Sequence, residues 1–365
     1  MQDLDGVTEP ASVQSPLVSV MITAYNRPEE LRDTLRILRE QTHRPLEVLV
    51  VDDASSADLA AVVRAEWPDA RFWRNDRNRG YIVNRSSLMA EARGDFILSL
   101  DDDSSLTRPD DLERALARMA REPRLGVLSF LVHEGLEPPA PAPEPQRERY
   151  VQSYIGCAHL LRTAMVRELG GYHDFFEYYA EEAEYCLRAL NHGWRILLFP
   201  EVVVHHRLSP VGRSGARIWG YGFRNSLWSV TLHMPFPRVV GEVGWKLLVN
   251  GMEMVRIGQP RWGAWALGSY LRGLPAVMRL RRPLTRDALR AYDALRFREV
   301  HTPDELEAAS RLRVGETWRW FTRTWRTRRR ARPFWDRRDG GLGVSVFVAD
   351  DQPRAPSAGQ EPRPR

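Results

Sequence analysis

Three adjacent aspartates, Asp101, Asp102 and Asp103, directly follow a short apolar run at residues 96–100. Adjacent carboxylates repel one another, and a hard divalent cation that also binds phosphate oxygens would offset that repulsion. Mg²⁺ and Mn²⁺ prefer oxygen ligands of this kind. A single acid here would be expected only to solvate a loop or cap the next helix. Three together predict a metal or ligand site.

Other acids and two histidines could act with these aspartates. Asp53 closes a second apolar run, where it could accept hydrogen bonds from a base or ribose, or only form a turn. Glu181 and Glu182 open a predicted helix. Glu182 lies at the edge of its buried face, so it could be a general base on an acceptor hydroxyl, or could only complement the helix dipole. In the pair His205-His206, an imidazole could complete a metal site or be structural.

Three further side chains are candidate pyrophosphate contacts, because guanidinium and amide groups donate hydrogen bonds to phosphate oxygens. They are Arg85, Arg224 and Asn225. The alternative is simple solvation, since the chain is rich in arginine. Glu184 and Arg188 lie four residues apart on the helix of Glu182, and this spacing predicts a surface ion pair.

The elements that must position these residues alternate between two patterns. Short apolar, β-branched runs predict buried parallel strands, and leucines at helical spacing predict the helices between them. The alternation favours an α/β domain with a mostly parallel sheet, which binds ligands beyond the carboxyl ends of its strands. The predicted strands are residues 17–24, 46–51, 71–73 and 96–100, and Thr23 and Tyr25 lie at the end of the first.

Composition narrows the class of protein. The chain has 365 residues, 43% of them hydrophobic, a formal net charge of +5 and two cysteines. It is long enough for a substantial core, and two cysteines make no disulfide framework. No signal peptide is recognised, and no uncharged run reaches the roughly 18 residues that span a bilayer. We therefore expect a cytoplasmic protein, peripheral at most on the inner membrane face.

The chain divides by composition into four parts. Residues 1–15 and 346–365 are predicted to be disordered tails. Residues 16–237 form the α/β domain, with a proline-rich loop at 136–147, and residues 238–345 form a helical extension rich in arginine and tryptophan. Within it, residues 311–338 would suit contact with anionic lipid headgroups, or would pack on the α/β domain. No nucleic-acid-binding signature is present.

The ordered set of motifs resembles glycosyltransferase family 2, over residues 17–225. The matching segments are VSVMITAYNRPEEL, VLVVDDASS, NRG, ARGDFILSLDDDS and GGYHDFFEYYAEEAEYCLRALNHGW. The resemblance implies a GT-A fold and an inverting transferase that moves a sugar from a nucleotide-diphosphate sugar to a hydroxyl acceptor with Mg²⁺ or Mn²⁺. The expected acceptor is a cell-surface glycan or a lipid-linked saccharide. The alternatives are a nucleotidyltransferase and a non-catalytic sugar-nucleotide-binding protein.

The resemblance also assigns roles to single positions. Glu182 matches the catalytic base, although relatives more often carry Asp there. His206 rather than His205 matches the metal-binding histidine of galactofuranosyl- and rhamnosyltransferase-like members. The expected metal ligands are thus Asp101, Asp103 and His206, and the expected nucleotide-sugar contacts are Thr23, Tyr25, Asp53, Arg85, Asp101 and Asp102.

Overall fold

A computed structural model describes residues 15–139, 146–207 and 215–311. Residues 1–14 and 346–365 of the tails, residues 140–145 of the proline-rich loop, and residues 312–338 lie outside the described residues. The strands are β1 (Val18–Ala24), β2 (Leu46–Asp52), β3 (Arg71–Arg74), β4 (Phe96–Asp101), β5 (Ser104–Leu106), β6 (Leu125–Glu134), β7 (Arg149–Tyr150), β8 (Ala158–Arg162) and β9 (Arg195–His206). The helices are α1 (Pro28–Arg39), α2 (Leu59–Glu66), α3 (Tyr81–Glu91), α4 (Asp111–Ala120), α5 (Thr163–Leu169), α6 (Glu181–Asn191), α7 (Gly215–His233), α8 (Arg238–Arg256), α9 (Pro260–Leu280), α10 (Arg286–Phe297) and α11 (Pro303–Ser310).

The strands form one mixed sheet in the order β3-β2-β1-β4-β8-β6-β9-β5, with β7 paired to β9. β1 to β4 are parallel, as the alternating pattern predicts. Most apolar side chains of β1, β2 and β4 are almost fully buried, whereas those of β3, at the end of the sheet, are partly buried. Because parallel strands end at one edge of a sheet, their carboxyl ends meet. Thr23 lies between Val51 and Asp101 in register, and Ala24 is opposite Asp52.

The far half of the sheet brings β9 to the same edge. β9 runs parallel to β6, and β5 pairs with β9 in the antiparallel direction. The β6–β9 ladder is irregular. Phe130 is opposite Phe199, whereas the next residue of β6, Leu131, is opposite Val203, so residues 200–202 of β9 form a bulge. Pro200, which cannot donate to a ladder, lies within this bulge.

The C-terminal helices pack onto the α/β domain. α7 lies against α8 and α9, and α10 lies against α6. Leu187 of α6 packs in a small apolar cluster with Val230, Met234, Leu284 and Ala288. The predicted class, a mostly parallel α/β sheet with a C-terminal helical region, is therefore confirmed. Among the described residues no helix is long and apolar enough to cross a bilayer. The expected location stays a prediction.

Glu184 and Arg188 form the predicted ion pair, but the prediction that the pair lies on the surface is wrong. Glu184 is almost fully buried, because α7 covers this side of α6. Its carboxylate accepts a hydrogen bond from Arg188 Nε at 3.0 Å and lies 2.8 Å from His233 Nε2. Burial opposes ionisation, but the charge of Arg188 and the contact with His233 lower the pKa of Glu184. The carboxylate thus links α6 to α7.

Replacing Glu184 with Gln is expected to lower the free energy of unfolding by about 3 kcal/mol at neutral pH, because Arg188 loses its buried partner. Since the folded-state pKa of Glu184 is lowered, its contribution is complete above the usual carboxyl pKa of 4.5 and is lost as pH falls through the folded value. Urea unfolding at pH 7 and near pH 3 measures both effects. The exposed Glu168→Gln is the control, and equal stabilities of the two variants at pH 7 would contradict the buried link.

Candidate active site

The structure brings Asp101, Asp103 and His206 together, with one potential ligand atom from each lying within 4.8 Å of the others. Sheet register explains the grouping. Asp101 ends β4, and Ser104 of β5 is the register partner of His206, so Asp103 lies beside the imidazole. His206 Nε2 is 3.2 Å from Asp103 Oδ1. Two carboxylates and an imidazole are a ligand set that suits Mg²⁺ or Mn²⁺.

Two contacts fix the backbone around this group. Ser104 Oγ accepts a hydrogen bond from Asp101 N at 2.8 Å and donates to the carbonyl of Cys157 at 2.7 Å. His205 points elsewhere, because successive strand residues face opposite sides and its Nε2 lies 2.7 Å from the carbonyl of Gly135. The structure thus places His206, and not His205, against the aspartates.

The imidazole of His206 holds a proton tightly in this arrangement. Burial disfavours the charged form, but the hydrogen bond to Asp103, with further contributions from Cys157 and Glu134, raises the pKa of His206 to about 12. A metal ion needs the neutral imidazole, so a bound cation would replace this proton as the positive charge beside Asp103. The donor set therefore fits a divalent cation.

Asp102 faces away from His206, toward the loop after β1. Its carboxylate accepts hydrogen bonds from Tyr25 N at 3.1 Å and from Arg27 Nη1 at 2.8 Å, and Arg27 also lies 3.2 Å from Asp103. Burial raises the pKa of Asp102 to about 7, although Arg27 opposes the shift. The expected donor contact of Asp102 stays a prediction. In this structure it holds the β1–α1 loop, while the Tyr25 ring is exposed at the mouth of the site.

Arg85 connects the metal-ligand group to the helix of Glu182. From α3 it contacts Asp101 Oδ1 and lies 3.3 Å from Glu181 Oε1 and 3.9 Å from Glu182 Oε1. Burial opposes the charged guanidinium, but Asp101 and Glu181 raise the pKa of Arg85 well above its usual value. A permanent buried cation thus lies between the carboxylate of Asp101 and those of α6.

Glu181 and Glu182 begin α6, as predicted, but their environments differ. Glu181 is buried and accepts a hydrogen bond from Tyr81 Oη at 3.0 Å, whereas Glu182 is partly exposed. Burial raises the pKa of both carboxyls, and Arg85 opposes the shift. Tyr179 and Ala180, just before the helix, have φ values of 70° and 67°. Left-handed backbone at two consecutive non-glycine residues is strained, and such strain clusters at functional sites.

Arg224 and Asn225 hold this strained segment, so the interpretation of both as pyrophosphate contacts is not supported. Asn225 Nδ2 donates to the carbonyls of Phe176, Tyr178 and Tyr179 at 2.6–2.9 Å. Arg224 donates to the same Phe176 carbonyl at 2.7 Å. Both side chains are buried on α7, and their donors are used by the protein itself. By holding the backbone just before α6, they position Glu181 and Glu182 at its first turn.

Gly156 leaves the space that the Glu182 side chain occupies. A Cβ at this position would collide with Glu182 Oε1 and approach Arg85 Nη1 to 3.0 Å. No local sequence pattern identifies Gly156 as a site residue, because a glycine in a loop carries no sign of what fills the space beside it.

Replacing Gly156 with Ala is expected to lower kcat by about tenfold to a hundredfold, because the added methyl displaces the Glu182 carboxylate by roughly 1 Å or more. The thermal midpoint should change little, since the colliding atoms are the ends of flexible side chains. Steady-state kinetics and thermal unfolding measure the two effects. Gly244→Ala, where nothing lies near the added Cβ, is the control, and equal kcat values for the two variants would refute the role of Gly156.

The other predicted contacts lie at the same sheet edge. Asp53, buried after β2, accepts hydrogen bonds from Asn75 Nδ2 at 2.8 Å and from the backbone amides of Arg79 and Gly80 at 2.7 and 2.9 Å. It thereby ties the loop before α3 to the sheet. Thr23 is partly buried beside Asp101 in register. Donor contacts by Thr23, Tyr25, Asp53, Arg85 and Asp101 stay predictions.

Comparison with known proteins decides the family. Residues 19–170 match the model of glycosyl transferase family 2. These residues belong to that family. The family 2 segment contains Asp101, Asp102 and Asp103 but ends before Glu182 and His206, so the grouping of those two residues with the aspartates rests on the geometry alone.

Individual proteins resemble the chain over different lengths. An uncharacterized glycosyltransferase of Haemophilus influenzae is 29% identical over 117 residues, which are 32% of this chain and only 38% of that protein. The amylovoran biosynthesis glycosyltransferase AmsB of Erwinia amylovora is 25% identical over 238 residues, which are 57% of this chain and 75% of AmsB.

A solved structure extends the likeness in fold beyond the family 2 segment. The mannosyltransferase PcManGT from Pyrobaculum calidifontis, in complex with GDP-Man and Mn²⁺, superposes with a TM-score of 0.51 at 18% identity, over 82% of this chain and 86% of that one. The GT-A expectation is confirmed, and the likeness includes part of the C-terminal helical region.

Proposed function

We propose that this protein transfers a sugar, with inversion, from a nucleotide-diphosphate sugar to the hydroxyl of a saccharide or lipid-linked acceptor, with Glu182 as the general base. The observation that carries the proposal is the continuous line of charged groups from His206 through Asp103, Asp101 and Arg85 to Glu182. It links a candidate cation site to a candidate base across the carboxyl edge of the sheet. The proposed catalytic unit is residues 16–237.

In the proposed reaction, the acceptor oxygen forms a bond to the anomeric carbon while the bond from that carbon to the diphosphate oxygen breaks. The hydroxyl proton passes to Glu182, and the nucleoside diphosphate leaves with the bonding electrons. Burial raises the pKa and thus the basicity of Glu182, and Arg85, whose charge also faces Asp101, opposes this shift and so favours the ionised form that can accept a proton. Asn225 and Arg224 keep the start of α6 in place.

Asp101, Asp103 and His206 would hold Mg²⁺ or Mn²⁺, which when bound supplies positive charge beside the departing diphosphate. Support for a cation comes from the grouped ligand atoms and from PcManGT, whose structure contains Mn²⁺. The proposed donor contacts are Thr23, Tyr25, Asp53, Arg85, Asp101 and Asp102, and the name of AmsB supports a saccharide acceptor.

A panel of UDP-, dTDP- and GDP-sugars tests the proposal. Thermal shift with Mn²⁺, and with a chelator in its place, selects the donor, and release of nucleoside diphosphate with a saccharide acceptor then measures turnover. We expect one donor to raise the melting temperature only when metal is present, and to be turned over. Binding without turnover would favour the non-catalytic alternative. Release of pyrophosphate from a nucleoside triphosphate would favour a nucleotidyltransferase.

A further inference from the structure

Helices α8 and α9 expose an apolar surface that the rest of the described protein does not cover. On α8 five apolar side chains, Val240, Trp245, Leu248, Met252 and Val255, are each between 53% and 68% exposed. The last four recur at three- and four-residue spacing, so they share one helix face. On α9, Leu267, Leu271 and Met278 form a second stripe. We call these two stripes the α8–α9 face.

The opposite side of each helix is packed normally. Met254 of α8 is buried against α9, and Tyr270 of α9 is buried with its hydroxyl 3.0 Å from Thr231 Oγ1 of α7. The helices are therefore held by a core of their own, and the α8–α9 face is additional apolar surface. Exposed apolar side chains grouped on helix faces in this way are typical of interaction sites.

The exposed charges on the segment that carries both stripes have one sign. In the fully described range 240–282, the exposed charged side chains are all arginines: Arg256, Arg261, Arg272, Arg279 and Arg282. The two acids of the range are partly buried and paired. Glu242 contacts Arg238 and Arg296, and Glu253 contacts Arg256. Apolar stripes flanked only by positive charge are typical of helices that lie in the surface of an anionic bilayer.

We propose that the α8–α9 face seats the protein on an anionic lipid bilayer. Trp245, Leu248, Met252 and Val255 would enter the boundary between headgroups and acyl chains, with the arginines against lipid phosphates. A second copy of the chain fits less well, because a two-fold interface pairs the same patch with itself and would bring the arginine flanks together.

The proposal also bears on the acceptor, and this part rests on the proposed function. The ring of Trp265, in the second turn of α9, packs at a tilt against that of Tyr221, whose ring in turn contacts that of Tyr178 edge-on. Tyr178 lies three residues before Glu181. α9 therefore connects the candidate membrane surface to the segment that carries the proposed base, an arrangement that suits a lipid-linked acceptor.

Vesicle sedimentation of the full chain tests the membrane seat without any readout of activity. Wild type should sediment with phosphatidylcholine vesicles that contain phosphatidylglycerol, and at least about tenfold more weakly without it, because several arginines each contribute to binding. The double substitution Leu248→Glu and Met252→Glu should weaken binding by about tenfold or more. Leu136→Glu, which changes an exposed apolar residue after β6, should bind as wild type. Thermal unfolding checks that each variant is folded.

A labelled cysteine reports the contact directly. Cys157 and Cys186 are buried, so Met252→Cys introduces an accessible thiol for a polarity-sensitive dye, with Leu136→Cys as the control. Only the dye at position 252 should shift to the blue on adding anionic vesicles. The proposal is overturned if the wild type does not sediment with anionic vesicles. It is also overturned if the double variant Leu248→Glu, Met252→Glu sediments as wild type while removal of residues 312–365 abolishes sedimentation. It is equally overturned if the double variant binds vesicles as wild type and differs only in that a dimer of the wild type is dissociated. Failure of the donor panel alone leaves the membrane seat standing.

Discussion

Replacing Glu182 with Gln is expected to lower kcat by about 10³-fold or more, while the dissociation constant of the nucleotide-sugar donor changes less than about threefold. The amide keeps the size of the side chain but cannot accept the hydroxyl proton, and general base catalysis typically contributes 10²–10⁴ in rate. Single-turnover kinetics and donor titration measure the two quantities. Because burial raises the pKa of Glu182, wild-type kcat should fall with acidification from a pH above the usual carboxyl value of 4.5.

Glu181→Gln is the informative neighbour for this experiment. Glu181 is buried against Tyr81 and Arg85, so its loss should affect stability and donor binding together, with a smaller loss of kcat. Glu168→Gln, on the surface of α5, should behave as wild type. Turnover by Glu182→Gln at the wild-type rate, or a larger loss of kcat in Glu181→Gln, would show that the base is wrongly assigned.

Replacing Asp103 with Asn, or His206 with Gln, is expected to lower Mn²⁺ affinity by more than about tenfold and kcat/KM by more than about 10²-fold, since each removes a ligand of the proposed cation site. Isothermal titration of Mn²⁺ into the wild type in two buffers of different ionisation enthalpy adds a second readout. His206 must lose its proton on binding, so about one proton should be released, and apparent affinity should rise with pH.

His205→Gln is the matched control for the metal-site variants. His205 precedes His206 on the same strand, but its ring bonds the Gly135 carbonyl, so Mn²⁺ affinity and proton release should be those of wild type. If His205→Gln and His206→Gln weaken Mn²⁺ binding equally, or if neither Asp103→Asn nor His206→Gln changes it, the proposed ligand set is incorrect.

The four parallel strands could be predicted from the sequence because they are short and mostly apolar, and two of them, β2 and β4, end in acids. The observed ends of β1 to β4 differ from the predicted ones by a single residue. Burial of Glu184 could not be predicted in the same way, because its partner His233 lies 49 residues away on α7. Helical spacing detects the neighbour Arg188, but it carries no information on what covers the helix.

The residues of the candidate site likewise differ in whether local sequence pattern could predict them. Residues that follow strands, such as Asp101 and Asp103, could be placed from local pattern and the rule that parallel strands end together. Residues that act through tertiary contact could not. Arg27 bridges two of the aspartates, and Gly156 provides the space for Glu182, yet neither has a local signal. Residue type makes Arg224 and Asn225 candidates for phosphate contact, but no local pattern shows that their donors bind the carbonyls of a strained loop.

The bulge at residues 200–202 determines which side chain the aspartates meet. Beyond it, β9 continues to His206 opposite Ser104, and neighbouring strand residues face opposite ways. If the strand before the bulge stays fixed, one inserted residue would present His205 to Asp103, and one deleted residue would present Arg207. The first change would exchange one imidazole for another, and the second would put a permanent guanidinium beside Asp103 in place of the proposed ligand. The length of the bulge alone, with every side chain conserved, would thus decide whether the proposed cation site has its imidazole.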